Sequence, residues 1–295
     1  MKKIFSIALV MALMATSANA KVNVVTSSTD LKSIAEYIGG DLISVQAIAS
    51  GKANPHFVEV LPNYMVTVAR ADVYFKIGLG LDFWAQPIID GSRNGKLKIY
   101  DCSEGINVLE KPAGKVNASM GDVHPEGNPH YWLDPANANI IAANIAAGLS
   151  DADPKNGAVY SANLTKFKAE LDLKIAEWQK KAAPLKGLEI ITFHESWPYF
   201  TEAFGLKVVG FIEPKPGIEP TPSHTAELIE LVKSKGVKLI GKEPYYSDRS
   251  PNVIAKATGA KVIDLPPSVG GADGADDYFS LIDTIINRLL TAMES

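Results

Sequence analysis

The sequence predicts an α/β protein: two lobes of mainly parallel sheet flanked by helices and joined by one long backbone helix. Three observations lead there. Short β-branched runs alternate with stretches of helical period between residues 21 and 101, the pattern of strand–helix–strand units rather than of hairpins. The same alternation resumes after residue 187. Between the two blocks lies a polar segment, residues 154–183, with Leu164, Phe167, Leu171, Ile175 and Trp178 at three- or four-residue spacing. At ~1.5 Å per residue a helix of that length would run roughly 45 Å, enough to join both lobes and to limit their relative motion.

The first twenty residues read as an export leader: Lys2 and Lys3, an apolar run from Ile4 to Met14, and small residues flanking a cleavage site at Ala18-Asn19-Ala20. The apolar run is too short to span a bilayer, and no Cys follows the site to carry a lipid. The mature chain is expected to begin near Lys21. It then divides into an N-terminal lobe (21–150), the linking helix (151–186) and a C-terminal lobe (187–295).

In the first lobe, KVNVVTS (21–27) reads as a strand, and Asp30 as the cap of a helix over 31–39 with Leu31, Ile34, Ala35 and Ile38 on its apolar face. LISVQAIA (42–49) is a second strand, followed by a loop that carries Asn54-Pro55-His56. Residues 61–71 are helical, VYFKI (73–77) is a strand, 78–84 a Gly-rich turn, 83–90 a short helix and LKIYD (97–101) a strand. Residues 107–128 hold Pro112, Gly114, Gly121, Pro125 and Gly127 among few apolar side chains, which predicts a flexible surface loop. Asp134-Pro135 then reads as the N-cap and first-turn Pro of a helix over 136–147.

Pro184 and Gly187 end the long helix. After it come the strand EIITF (189–193), a helix over 197–204, the strand KVVGFI (207–212) and a Pro-rich loop over 213–222. A helix over 225–235 capped by Ser223, a strand over 237–241, a helix over 251–258, a strand over 261–265 and an amphipathic helix over 276–293 complete the chain. No short internal repeat is evident.

Composition excludes more than it identifies. A formal charge of −4 offers no basic footprint for nucleic acid. The one cysteine, Cys102, cannot form an internal disulfide and reads as a small buried hydrophobe. No HExxH, Walker A, GxSxG or GxGxxG is present, so the common hydrolase and nucleotide-binding signatures are missing.

The chemistry gathers on histidine. In GNPHYWLDP (127–135) a Pro fixes the backbone just before His130, and Trp132 and Leu133 anchor the far side. The same Asn-Pro-His recurs at 54–56, which delivers His56 from a strand-end loop. His194 directly follows EIITF, and Glu243 follows the strand over 237–241 after one Lys. In parallel α/β lobes ligands bind beyond the carboxyl ends of the strands. Three imidazoles and a carboxylate from four separate loops make a tetrahedral site of the kind zinc takes. A hydrolytic zinc enzyme would also need an open coordination position and a general base, for which Glu59 or Glu195 could serve.

These motifs resemble those of a known family, the periplasmic solute-binding proteins of zinc and manganese ABC transporters, the zinc-uptake and TroA-like group. The resemblance covers essentially the whole mature chain. It rests on Asn54-Pro55-His56 with Leu61-Pro62, Ala71-Asp72-Val73 and GLGLDFW (78–84), on NPHYWLDP (128–135), on Phe193-His194, on EPKPGIEPTP (213–222) and on Glu243-Pro244. It implies two lobes with the ion between them, and no enzymatic activity. The departure is at the fourth ligand. Many relatives place an Asp where this chain has Pro266, with Asp264 two residues early. Glu243 is favoured over Asp264 for that position, and water is a third alternative.

The expectation is therefore a high-affinity zinc-binding protein of the periplasm, acting as a monomer with an inner-membrane ABC permease as partner and Zn2+ as cargo. Its metal ligands would be His56, His130, His194 and Glu243. Three histidines favour zinc over Mn2+, which prefers carboxylate oxygens. The alternatives are a manganese-binding homologue, a secreted zinc-dependent hydrolase, or an adhesin or metallochaperone on the same scaffold. His124 reads as a solvated loop residue, with a passing role toward zinc as its alternative, and His224 reads as structural.

Overall fold

The computed structural model describes residues 21–114, 121 and 123–294. The segment expected to be an export leader lies outside these, as do 115–120 and 122 of the loop predicted to be flexible.

Two four-stranded parallel sheets form the frame. The first takes β1 (Val22–Thr26), β2 (Ile43–Ala47), β3 (Val73–Lys76) and β4 (Lys98–Asp101) in the order β2-β1-β3-β4. The second takes β5 (Glu189–Thr192), β6 (Lys207–Phe211), β7 (Leu239–Lys242) and β8 (Lys261–Asp264) in the order β6-β5-β7-β8. The orders are the same, so the two halves repeat one topology although no sequence repeat is visible. All pairings are parallel, as helical crossovers require.

The first half carries α1 (Thr29–Gly39), α2 (Pro62–Ala69), α3 (Ala85–Ser92) and α4 (Ala138–Ala152). Ser28, not Asp30, caps α1: its Oγ accepts from Leu31 N at 3.3 Å. Asp30 is buried in the first turn instead, where its carboxylate accepts from Val269 N of the other half at 2.9 Å. Asp134 does cap, accepting from Ala136 N at 2.9 Å, but a 3-10 turn over Pro135–Asn137 precedes α4.

The long helix α5 (Gly157–Lys181) has 25 residues, shorter than the predicted thirty because a 3-10 turn at Pro154–Asn156 stands before it and another at Ala183–Leu185 follows its cap. Tyr160, Phe167, Leu171 and Trp178 form its buried stripe, each apolar side chain worth about 1.5–3 kcal/mol of transfer free energy. It packs on α1 and α4 of the first half and on α9 (Tyr278–Glu294), where Trp178 Nε1 donates to Asp283 at 3.0 Å.

The second half adds α6 (Pro198–Phe204), α7 (Pro222–Lys235) and α8 (Arg249–Thr258). Thr221, not Ser223, caps α7, because the helix starts three residues before its apolar pattern does.

One apolar core runs from Val22 and Leu31 through Trp132 and Trp178 to Ile285, so residues of both halves share it. Polar contacts close the seam. Trp132 Nε1 donates to Pro267 O at 2.8 Å, Tyr278 OH to Trp132 O at 2.7 Å, and Thr29 Oγ1 to Val269 O at 2.7 Å. The loop after β2 carries His56, the segment before α4 carries His130 and the turn after β5 carries His194, and the fold brings the three together.

Candidate metal centre

His130 is held by an unusual use of Asn128. The Asn128 amide nitrogen donates to Glu110 Oε2 at 2.9 Å and to Glu195 O at 2.8 Å, which fixes the amide orientation. Its Oδ1 therefore accepts, from His130 N at 3.0 Å and from His130 Nδ1 at 2.9 Å. The proton sits on Nδ1 and the Nε2 lone pair is left for an ion. The buried Trp132 ring, 5.4 Å from that of His130 between centroids, backs the imidazole.

His194 stands two residues past β5. Its Nδ1 lies 2.7 Å from Glu213 Oε2, and Glu213 also accepts from Gly217 N at 3.1 Å. A carboxylate can only accept, so Nδ1 carries a proton here too and Nε2 is the ligand atom. His56 follows the same local rule as His130: Asn54, two residues earlier, accepts from His56 N at 3.0 Å. The repeated Asn-Pro-His thus encodes a turn in which the Asn side chain fixes the histidine backbone.

These loops converge. One nitrogen each from His56, His130 and His194 lies within 4.8 Å of the other two. The Nε2 atoms of His56 and His130 are 3.1 Å apart. Two nitrogens on one tetrahedral zinc, with bonds of ~2.0–2.1 Å, would stand roughly 3.3 Å apart, so this edge already has the right length. His130 and His194 are buried, and His56 lies on the solvent side. A cavity of about 40 Å³ adjoins them, lined by Glu110, His124, Asn128 and Glu195.

The electrostatics differ between ligands. Burial, with the neighbouring imidazoles of His56, His194 and His124, pushes the His130 pKa well below its ordinary value and keeps the ring neutral. Burial also pushes His194 down, but the Glu213 hydrogen bond and the charges of Glu243, Glu213 and Glu195 outweigh it and raise its pKa. Glu195, desolvated and beside Glu110, is raised to about 7.

Glu243 is fully buried, and its carboxyl is raised by desolvation. Oε1 accepts from Trp197 Nε1 at 3.0 Å, while among the described residues Oε2 makes no hydrogen bond of good geometry, although the Ser196 hydroxyl works to lower the carboxyl's pKa. It lies outside the group of mutually close ligand atoms. Asp264 is half-exposed and ion-paired with Lys242 Nζ at 2.6 Å. His224 Nε2 donates to Phe211 O at 2.9 Å, in keeping with a structural role. His124 departs from the solvated reading: it is half-buried, with Nε2 at 3.2 Å from His56 Nδ1. Cys102 is buried.

Sequence reasoning passed over Asn128 and Glu213 as partners of the ligands. The signal for Asn128 was present, since Asn stands two residues before His in both motifs. Glu213 had none, because nineteen residues separate it from His194.

Comparison with known proteins agrees with this geometry. The family model described as zinc-uptake complex component A, periplasmic, matches residues 24–292. The manganese ABC transporter substrate-binding lipoprotein ScaA of Streptococcus gordonii is 27% identical over 92% of this chain and 89% of its own length. The high-affinity zinc uptake system protein ZnuA of Brucella abortus is 32% identical over 54% of this chain and 48% of its own length. A crystal structure of ZnuA superposes with a TM-score of 0.79 at 30% identity, covering 92% of this chain and 99% of that one. A two-sheet α/β frame, a three-histidine cluster at its seam and a family match over nearly the whole chain agree, and the chain belongs to the ZnuA family of metal-binding, solute-binding components of ABC transporters.

Proposed function

We propose that this chain is an exported periplasmic protein that binds zinc and hands it to the permease of an ABC importer in the inner membrane. It acts as a monomeric carrier rather than as an enzyme. The observation that carries the choice of ion is the donor set: three imidazole nitrogens, two of them with their tautomer fixed for Nε2 ligation. Nitrogen donors bind zinc more tightly than manganese, which prefers carboxylate oxygen. Both metals occur in the names of relatives, so the donor set has to decide.

Glu243 is proposed as the fourth ligand. It is buried beside His194, and its Oε2, which makes no hydrogen bond of good geometry among the described residues, would gain a cation as its partner. A carboxylate closing three histidines leaves no position for an activated water, which argues for a carrier over a hydrolase.

Calorimetric titration of metal-stripped mature protein with zinc and with manganese tests the reading, using wild type, His130→Ala and Glu243→Ala in parallel. One-to-one zinc binding tighter than manganese, severely weakened in His130→Ala and weakened in Glu243→Ala, is the expected result. Wild-type affinity in His130→Ala would overturn the site, and tighter manganese binding would overturn the cargo. Unchanged binding in Glu243→Ala would remove Glu243 from the ligand set.

A further inference from the structure

The His56 loop has no helix or strand of its own. It occupies the irregular stretch between Ala47, where β2 ends, and Pro62, where α2 begins. Within it Asn54 makes a local turn, its Oδ1 accepting from His56 N and its carbonyl from Phe57 N at 3.2 Å. Tyr246 and Trp84 reach in from outside to the two residues before His56, while His124 and His130 meet its ring. Tyr246 OH accepts from Asn54 Nδ2 at a long 3.3 Å. Trp84 Nε1 donates to Pro55 O at 2.8 Å, on the residue next to the ligand.

Trp84 is itself anchored from the core side. It is the N-cap residue of α3 and packs with Val58 against a cluster that includes Val25, Val68, Tyr74 and Ile88. The turn before it passes through three consecutive left-handed residues, Gly78 at φ 78, Leu79 at φ 50 and Gly80 at φ 78. Glycine takes this conformation freely, but a leucine there holds strain that persists only where its surroundings fix it. Asp82 does the fixing. Its buried carboxylate accepts from Ile77 N at 2.8 Å, from Gly78 N at 3.2 Å and from Ser27 Oγ. A rigid path therefore runs from β1 and β3 through Asp82 and the strained turn to Trp84, and from its indole to the carbonyl beside His56.

We infer that Trp84 is a positioning residue for metal binding: its indole N–H, donated to Pro55 O, holds His56 where its Nε2 meets the nitrogens of His130 and His194. This role rests on the three-histidine site proposed above. Trp84→Phe keeps an aromatic ring against Val58 and the α3 cluster and removes the donor. Losses from partners that orient metal ligands run about 10- to 100-fold in affinity, and a similar loss is expected here.

The test is a double-mutant cycle on the full mature chain, with zinc as the probe metal. Zinc affinity is read by competition with chelators of matched strength for wild type, W84F, H56A and the double variant. W84F should weaken zinc about tenfold or more in the wild-type background and less than about twofold once His56 is gone, because the effect acts through His56. The thermal midpoint of metal-free W84F should stay within a few degrees of wild type. Equal losses in both backgrounds, or no loss in W84F while H56A is weakened, would overturn the role of Trp84. Wild-type affinity in H56A would instead overturn the site reading and this inference with it. If W84F does not accumulate as folded protein, Trp84→Tyr, a ring without the indole donor, is read in the same cycle.

Discussion

Glu213→Gln separates two things one carboxylate does for the metal centre. Glu213 is buried and accepts from His194 Nδ1 at 2.7 Å. Glutamine keeps the size and an acceptor oxygen but removes the charge. The first consequence is on zinc itself. A carboxylate behind a ligating imidazole raises its basicity and fixes its tautomer, and its loss costs about 10- to 100-fold in affinity, or about 1.4–2.7 kcal/mol.

The second consequence is on protons and has the opposite sign. Burial lowers the His194 pKa, but the Glu213 hydrogen bond with the charges of Glu243, Glu213 and Glu195 raises it above its ordinary 6.5. Above that raised pKa the metal-free ring is neutral. Below it, zinc must displace the proton on Nε2, and affinity falls by roughly tenfold per pH unit. Without the charge, the His194 pKa drops and the onset of that fall moves to lower pH. Glu213→Gln should therefore bind zinc more weakly on the alkaline plateau yet lose less as pH falls, so the two curves converge.

The same shift reaches stability. A histidine whose pKa is raised on folding stabilises the metal-free fold fully below about 6.5, and that contribution is lost as pH rises through the raised value. The destabilisation caused by Glu213→Gln should therefore shrink with rising pH. Zinc affinity between pH 5.5 and 8, with calorimetry in buffers of different ionisation enthalpy to count released protons, reads the binding effects. An unchanged plateau together with an unchanged onset and proton count would refute the role assigned to Glu213.

Three further outcomes test the fold around the centre. Leu171→Ala in α5 removes a fully buried side chain from the core shared by both halves and should cost about 2–5 kcal/mol in denaturant unfolding of metal-free protein. Gly148→Ala should lower stability by about 1–3 kcal/mol in the same assay, although alanine favours helices. The added Cβ would sit 2.7 Å from Phe75 Cε1 and 2.9 Å from Tyr100 Cδ2, where α4 lies on the sheet, and an increase in stability would show that the contact relaxes freely. Gly51→Ala would drive a Cβ into the carbonyl oxygen of Val269 across the seam, on the loop that carries His56. It should lower stability and zinc affinity together, and a loss of one without the other would uncouple the seam from the site.

Periodicity and punctuation in the chain determine its class, the position of nearly every strand and helix, and the three histidines. Alternating β-branched runs and helical stripes are local properties, and a Pro before His130 or a strand ending at Thr192 leaves its mark within a few residues. Helix starts were less legible. Ser28 and Thr221 cap where Asp30 and Ser223 were expected, because neighbouring residues of similar chemistry compete and packing chooses between them. Asp30 shows the choice, since its carboxylate is drawn to Val269 on the far half of the chain.

Only the tertiary structure decides which groups surround the ligands. Glu213 on His194, His124 against His56, Trp84 on the Pro55 carbonyl and Trp197 on Glu243 join residues 19 to 68 positions apart. Hydrogen bonds of that range depend on how two sheets and a 25-residue helix bring distant loops to one seam. Residue type tells which atoms can bind an ion, because donor chemistry belongs to the side chain. The proton each imidazole holds, and the precision with which it is aimed, belong to neighbours that only folding supplies.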